Sequence, residues 1–257
     1  MALQQDPDQD DLHITIEATL DPDFYFGGDY IVLQAENIIF RVPSEPLIRG
    51  SEVFSTMFTL PQGEPKDDLE GGSPKHPIML PTTIKAEDFR NLLKMLYPRD
   101  AAEDISLTKS QWTSILKTST EWYFLPLRKA AISELMTTRH ALDAFEKILL
   151  GRQLKIAIWI IQGYQELVQR DDTISNAEAI ILEVNSDPHG LTALSLLRIR
   201  EQKIRLKFGS KAKNMTQSLV RLEIEKEFQT ELKAIRAMEE GYGAVQEEFP
   251  VPAVLVD

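Results

Sequence analysis

The residues best suited to proton transfer or metal ligation are four histidines, His13, His76, His140 and His189, and their spacing argues against both uses. None stands three or four positions from another, so no helix can present two imidazoles to one ion, and there is no cysteine to complete a mixed ligand set. The chain contains no G-x-S-x-G, no H-E-x-x-H, no Walker-type phosphate loop and no G-x-G-x-x-G. Gly209-Ser210-Lys211 lacks the earlier glycine and the strand that a phosphate cradle needs. The carboxylate pairs Asp67-Asp68 and Glu239-Glu240 lie in polar segments, where nothing separates the two pKa values, and are expected to be solvated. These residues predict a protein that is not an enzyme and holds neither metal nor cofactor.

One dense basic stretch remains, with Arg198, Arg200, Lys203, Arg205, Lys207, Lys211 and Lys213. Its charges point to different sides of a helix and only Phe208 interleaves with them, so a solvated face that neutralises nearby acids outweighs a nucleic-acid site. The formal charge of −12 repels phosphate backbones and anionic lipid alike, so neither nucleic acid nor membrane is an expected partner. Asn214-Met215-Thr216 fits a glycosylation pattern, but the acidic start MALQQDPDQDD is unlike a secretory signal, and chance explains the match. The longest internal apolar run, Ile156 to Ile161, is far shorter than a membrane span. With no cysteine, a reducing compartment, cytosol or nucleus, is expected.

The 257 residues suffice for one large or two modest domains. Residues 1–22 form an acidic tail, largely disordered, apart from a short alternating strand from His13 to Ala18. Tyr30 to Ala35 and Asn37 to Val42 are β-rich, joined by a tight turn at Glu36 and Asn37. Pro43 stops the second strand, Ser44 caps a short helix, and a second helix starts near Ser51. Pro61 to His76 reads as a long mobile loop, and Pro77 to Leu80 as a brief strand.

From Ala86 the apolar period is helical up to Pro98. Thr108 and Gln111 form a capping box that opens a helix over 109–119, and Pro126 introduces another. Beyond residue 137 the pattern predicts only helices, over 141–150, 153–170, 176–184, 191–208 and 214–240, with a capping box at Ser175 and Glu178. Residues 241–257 are expected to be an unstructured tail. Trp112, Trp122 and Trp159 lie in apolar helical contexts and are expected in cores.

Type, order and spacing together carry a resemblance. Phe24-Tyr25-Phe26, Gly28-Asp29, Ile31-Val32-Leu33-Gln34, Phe40-Arg41-Val42, Ser51, Val53-Phe54 and Met57-Phe58 resemble the opening half of a BTB/POZ domain. Asp88-Phe89, Leu92-Leu93 and Leu96-Tyr97-Pro98 resemble that family's "DF..LL..LYP" helix, and Trp112, Leu116, Trp122, Phe124, Leu127-Arg128 and Ala131-Ile132 resemble its closing helix pair. The variant most resembled is the large fungal group in which a leucine-proline pair, here Leu60-Pro61, follows the second helix. The chain departs from many members in having Pro43-Ser44 where a histidine and a basic residue usually stand, and in its long insertion at 62–76.

The resemblance implies a BTB/POZ-like domain over 23–136, a small sheet surrounded by helices, and the helical pattern beyond it predicts an all-α domain over 137–240, so the fold class expected is α+β. The resemblance also implies protein partners and self-association, through Ile14 and Ile16 of the early strand with Leu47 and Ile48 of the first helix. In BTB adaptors of cullin-type ubiquitin ligases an apolar residue, any residue and an acid follow the "MF" pair. Counting on from Met57-Phe58 places these positions at Gln62, Gly63 and Glu64, so the acid is present and the apolar residue is not. An adaptor or a homo-oligomeric scaffold, structural or transcription-related, is the expected role.

Overall fold

The computed structural model describes residues 19–25, 30–59, 70–98, 106–184, 191–208 and 216–243. The fold is mixed α and β, mainly helical with one four-stranded sheet. Its residues divide into two compact units, one formed by Met1–Arg49 with Val53–Ala101 and the other by Gly50–Glu52 with Ala102–Asp257. Thr137, expected at a domain boundary, lies inside the second unit, where it precedes a 3-10 turn at Thr138–His140.

In the first unit β1 (Thr19–Tyr25), β2 (Tyr30–Ala35), β3 (Ile38–Pro43) and β4 (Ile78–Met79) form a sheet in the order β1-β3-β2-β4. The expected hairpin is present: β2 and β3 are antiparallel, with Leu33 opposite Phe40 and Ala35 opposite Ile38. Glu36 turns the chain in a left-handed conformation, φ 53°, unusual for a residue with a Cβ. Two contacts hold it there. Gln34 Nε2 donates to the Glu36 carbonyl at 3.0 Å, and the Glu36 carboxylate accepts from the Ala86 N–H at 2.9 Å. The second bond supplies the N-terminal cap that Lys85 cannot give to α3 (Ala86–Leu96).

β1 pairs in parallel with β3, and β4 in parallel with β2. Thr19 to Pro22 are therefore strand where an acidic tail was expected. The reason is long-range: Asp21 is buried, and Arg90 of α3 donates to its carboxylate at 2.7 and 3.1 Å. A buried carboxylate is tolerable once a guanidinium neutralises it. The strand expected at His13 to Ala18 lies outside the described residues.

The end of the supposed mobile loop is also ordered. Gly71 donates to the His76 carbonyl and accepts from Val32, and Ser73 bridges to His76. Gly71 needs to be glycine: its φ is +83°, and a Cβ would meet Ile78 Cδ1 at 2.9 Å. Helices α1 (Ser44–Gly50) and α2 (Glu52–Thr59) follow the hairpin, anchored inward by Leu47 and Phe54. Phe40 meets Phe89 of α3 edge to face at 5.0 Å, and the Tyr97 hydroxyl donates to the Pro43 carbonyl.

The second unit holds α4 (Lys109–Glu121), α5 (Leu125–Leu135), α6 (Ala144–Leu154), α7 (Ala157–Gln169), α8 (Asn176–Leu182), α9 (Thr192–Phe208), α10 (Gln217–Glu227) and α11 (Gln229–Glu239). The boxes at Thr108 and Ser175 form as expected, and a third, Asp143 with Glu146, starts α6 later than the sequence reading had it. The Arg170 guanidinium, with Ser175 as the next contributor, holds the Glu178 carboxyl down at about 2.

Other helix boundaries also differ from expectation, and α7 starts at Ala157 where 153 was expected. Gly151 resembles a helix stop but lies buried inside α6, which runs on to Leu154 and ends where Lys155 turns left-handed at φ 59°. The single helix expected over 214–240 is two, because Phe228 leaves helical geometry at φ −102°, ψ 25°. On α10 Val220 and Ile224 are buried, whereas Leu219 and Leu222 are exposed. All three tryptophans are buried.

Candidate interaction surfaces

Of the residues expected to make contacts, Leu47, Ile48, Met57 and Phe58 are described, whereas Ile14, Ile16, Gln62 and Glu64 lie outside the described residues. Leu47 is wholly buried, so its expected place on a contact surface is corrected: it is a core residue. A seven-residue helix needs its inward aliphatic to anchor itself, and only Ile48, one position round, is half-buried and available. On α2, Val53 is exposed and Met57, one turn on, is half-buried, while Phe54 faces the core. Leu20 on β1 and Met79 on β4 are exposed on the two edge strands. Edge strands offer unpaired backbone to a partner, and Pro22 blunts β1 by removing one donor.

The second unit carries a denser apolar surface, positioned by one buried arginine. Arg152 lies one turn after Ile148 on the inward face of α6, almost without solvent contact. Its five N–H donors all find acceptors. Nε donates to Glu231 Oε1 at 2.7 Å, Nη1 to the carbonyls of Leu182 and Val184, and Nη2 to Tyr164 Oη at 2.8 Å and Thr192 Oγ1 at 3.0 Å. Burial opposes the charge, but Tyr164 and Glu231 more than offset this and raise the Arg152 pKa. Burial first, and Glu231 second, push the Tyr164 phenol well above its ordinary value. With every donor engaged this cluster is a fastener, joining the end of α8 and the start of α9 to α6, α7 and α11.

The α8–α9 corner so held turns Ile180, Ile181, Val184, Leu191 and Leu194 toward solvent. The sequence shows the clue, a run of four aliphatic residues in Ile180-Ile181-Leu182 and Val184 of which only Leu182 is buried.

Two members of the basic stretch, Arg200 and Lys203, depart from the solvated face expected of it. Arg200 is buried and donates to the carbonyls of Leu167 and Asp171 at 2.7 and 3.1 Å, and Lys203 reaches those of Val168 and Gln169 at 3.3 Å. Together they cap the C-terminus of α7, where carbonyls lack helical partners and the dipole favours positive charge. Arg205 pairs with Glu201, and Arg198 stays largely exposed. His140 is buried and His76 exposed, while His13 and His189 lie outside the described residues. Among the described residues no three His, Asp or Glu side chains gather as a metal site would need, and no helix is long and apolar enough to cross a membrane. No protein-family model, no curated protein and no solved structure matches this chain.

Proposed function

We propose that this chain is a protein-interaction module of BTB/POZ type that works by binding rather than catalysis, in the cytosol or nucleus. The observation that carries the reading is the order and pairing of elements. The hairpin β2–β3, the short helices α1 and α2, the strand β4, the helix α3 and the pair α4 and α5 follow one another in the order on which the resemblance rests, and this supports the reading. Exposed aliphatic side chains held on rigid elements, Val53 on α2 and Ile180 on α8 among them, support a role in contacts with protein.

Two roles fit such a module. As an adaptor for a cullin-type ubiquitin ligase it would dock through Met57, Phe58, Gln62 and Glu64. As a structural or transcription-related homo-oligomeric scaffold it would have no ligase link. Gln62 separates them, because a glutamine in the apolar position forfeits about 1–2 kcal/mol at a well-packed contact. That loss is a factor of roughly ten in affinity. Titration of the purified chain with the N-terminal region of a cullin scaffold is expected to show weak binding or none, becoming measurable in Gln62→Met. Sub-micromolar binding by the unmodified chain, abolished in Glu64→Ala, would assign the adaptor role with Gln62 in place.

A further inference from the structure

Arginine is a costly residue to hold against a sheet, and Arg41 is held there without an acid. In β3 it lies beside Val32 of β2 and Tyr25 of β1, and Tyr30, two positions from Val32, stands on the same face. Both rings lie against the guanidinium. Its central carbon is 3.2 Å from the Tyr30 ring centroid and 5.2 Å from that of Tyr25. Nε is buried, and it is the one buried side-chain nitrogen or oxygen among the described residues that has no hydrogen-bond partner. Such an atom costs stability and calls for a reason.

Other buried or half-buried arginines are not in this state. Arg90, Arg128, Arg152, Arg170 and Arg200 each donate to a carboxylate, hydroxyl or carbonyl of the chain. Arg41 has no such acceptor among the described residues, and its Nη1 and Nη2 are not enclosed as Nε is. The chain carries 40 Asp and Glu, yet none of those described pairs with it.

We propose that Arg41, with Tyr25 and Tyr30, is a receptor for a carboxylate from outside the chain, carried by a small acid or by a peptide. Stacking on tyrosine orders the planar fork and leaves Nη1 and Nη2 to donate side by side, the arrangement that two carboxylate oxygens accept together. With Nε enclosed, water is kept from one edge and the charge acts through a lower dielectric than at an open surface. The two rings add apolar contact for the carbon stem of an acid. Charge selects among anions, because a chain of net charge −12 opposes a phosphate dianion about twice as strongly as a carboxylate. The site is separate from the expected self-association and ligase contacts, since neither Ile48 nor Met57 belongs to it.

Nuclear magnetic resonance on the isotope-labelled full-length chain tests this directly. The Arg41 Nε–H, enclosed and stacked on a ring, exchanges slowly with water and gives a side-chain signal that is assigned by its absence from Arg41→Lys. At neutral pH sodium acetate is expected to move this signal saturably, with a midpoint of roughly millimolar concentration, whereas sodium chloride at matched ionic strength leaves it in place. The peptide acetyl-Ala-Glu-Ala-amide is expected to act as acetate does, and its glutamine counterpart to have no effect. A peptide midpoint below that of acetate assigns the carboxylate to a protein segment, and one at or above it assigns a small acid. Arg41→Lys keeps the charge without the fork and is expected to bind acetate at least roughly fivefold more weakly, read from the backbone amide of Tyr30. No movement with acetate, equal movement with chloride, tighter binding of inorganic phosphate than of acetate, or unchanged affinity in Arg41→Lys would each overturn the proposal.

Discussion

Replacing Arg152 with methionine is expected to destabilise the second unit by about 3–5 kcal/mol, the usual cost of removing one partner from a buried charged cluster. The substitution leaves Glu231 half-satisfied beside Tyr164, and deprives the carbonyls of Leu182 and Val184 of the donor that ties α8 to α6. For a unit of this size about 2–4 °C is lost per kcal/mol, so the melting temperature should fall by roughly 10 °C. Lysine is expected to rescue little, because three donors on a point charge cannot reach five acceptors arranged around a planar fork. Thermal unfolding followed by circular dichroism checks both variants. Wild-type stability in Arg152→Lys would show that charge alone matters, contrary to the hydrogen-bond account.

Gly163→Ala should destabilise the same unit by about 1–3 kcal/mol, against the direction that helix propensity predicts. Alanine in a helix interior is ordinarily favoured over glycine by about 1 kcal/mol. Here a Cβ on Gly163 would stand 2.6 Å from the Ala144 carbonyl oxygen and 2.6 Å from Ile148 Cγ1, so α6 and α7 would have to separate. A flexible side chain could yield, but the carbonyl belongs to the first turn of α6. Gly241→Ala, which meets nothing within 4 Å, serves as the control and should change stability by less than about 0.5 kcal/mol. Urea denaturation of the two variants beside the unmodified chain measures the difference.

These two residues also show where a sequence stops being readable. Local signals were legible: Thr108 with Gln111 marks the start of α4, and Glu36 with Asn37 marks the hairpin, because cap and turn chemistry depends on residues three or four apart. Gly151, which follows the helix expected over 141–150, is the opposite case. A glycine after a helical run resembles a C-cap, and only the close approach of Ile160 from the next helix explains it as an interior contact. β1 was missed because the acid that suggests a tail, Asp21, is neutralised by Arg90, sixty-nine positions away. Arg152 could have been found. It follows Ile148 by four residues, and a charge on a buried stripe asks for partners. The partners themselves come from α7, α8, α9 and α11, which no local pattern connects.

For the candidate surfaces the division is similar. Met57, Phe58 and Ile48 were legible as apolar residues of short helices, whereas the burial of Leu47 depends on which face of α1 meets the sheet. The exposed corner at α8 and α9 was invisible as a surface, since its aliphatic run reads as core until the helix directions are known.

Self-association of the purified chain is the measurement closest to the central claim, an interaction module that pairs with its own kind. Light scattering at roughly 50 µM, where a modest interface is occupied, is expected to give twice the 29.2 kDa of one chain, and Ile48→Asp to shift the mass toward a single chain. A mass of one chain throughout the concentration range, unchanged by Ile48→Asp, would contradict the account.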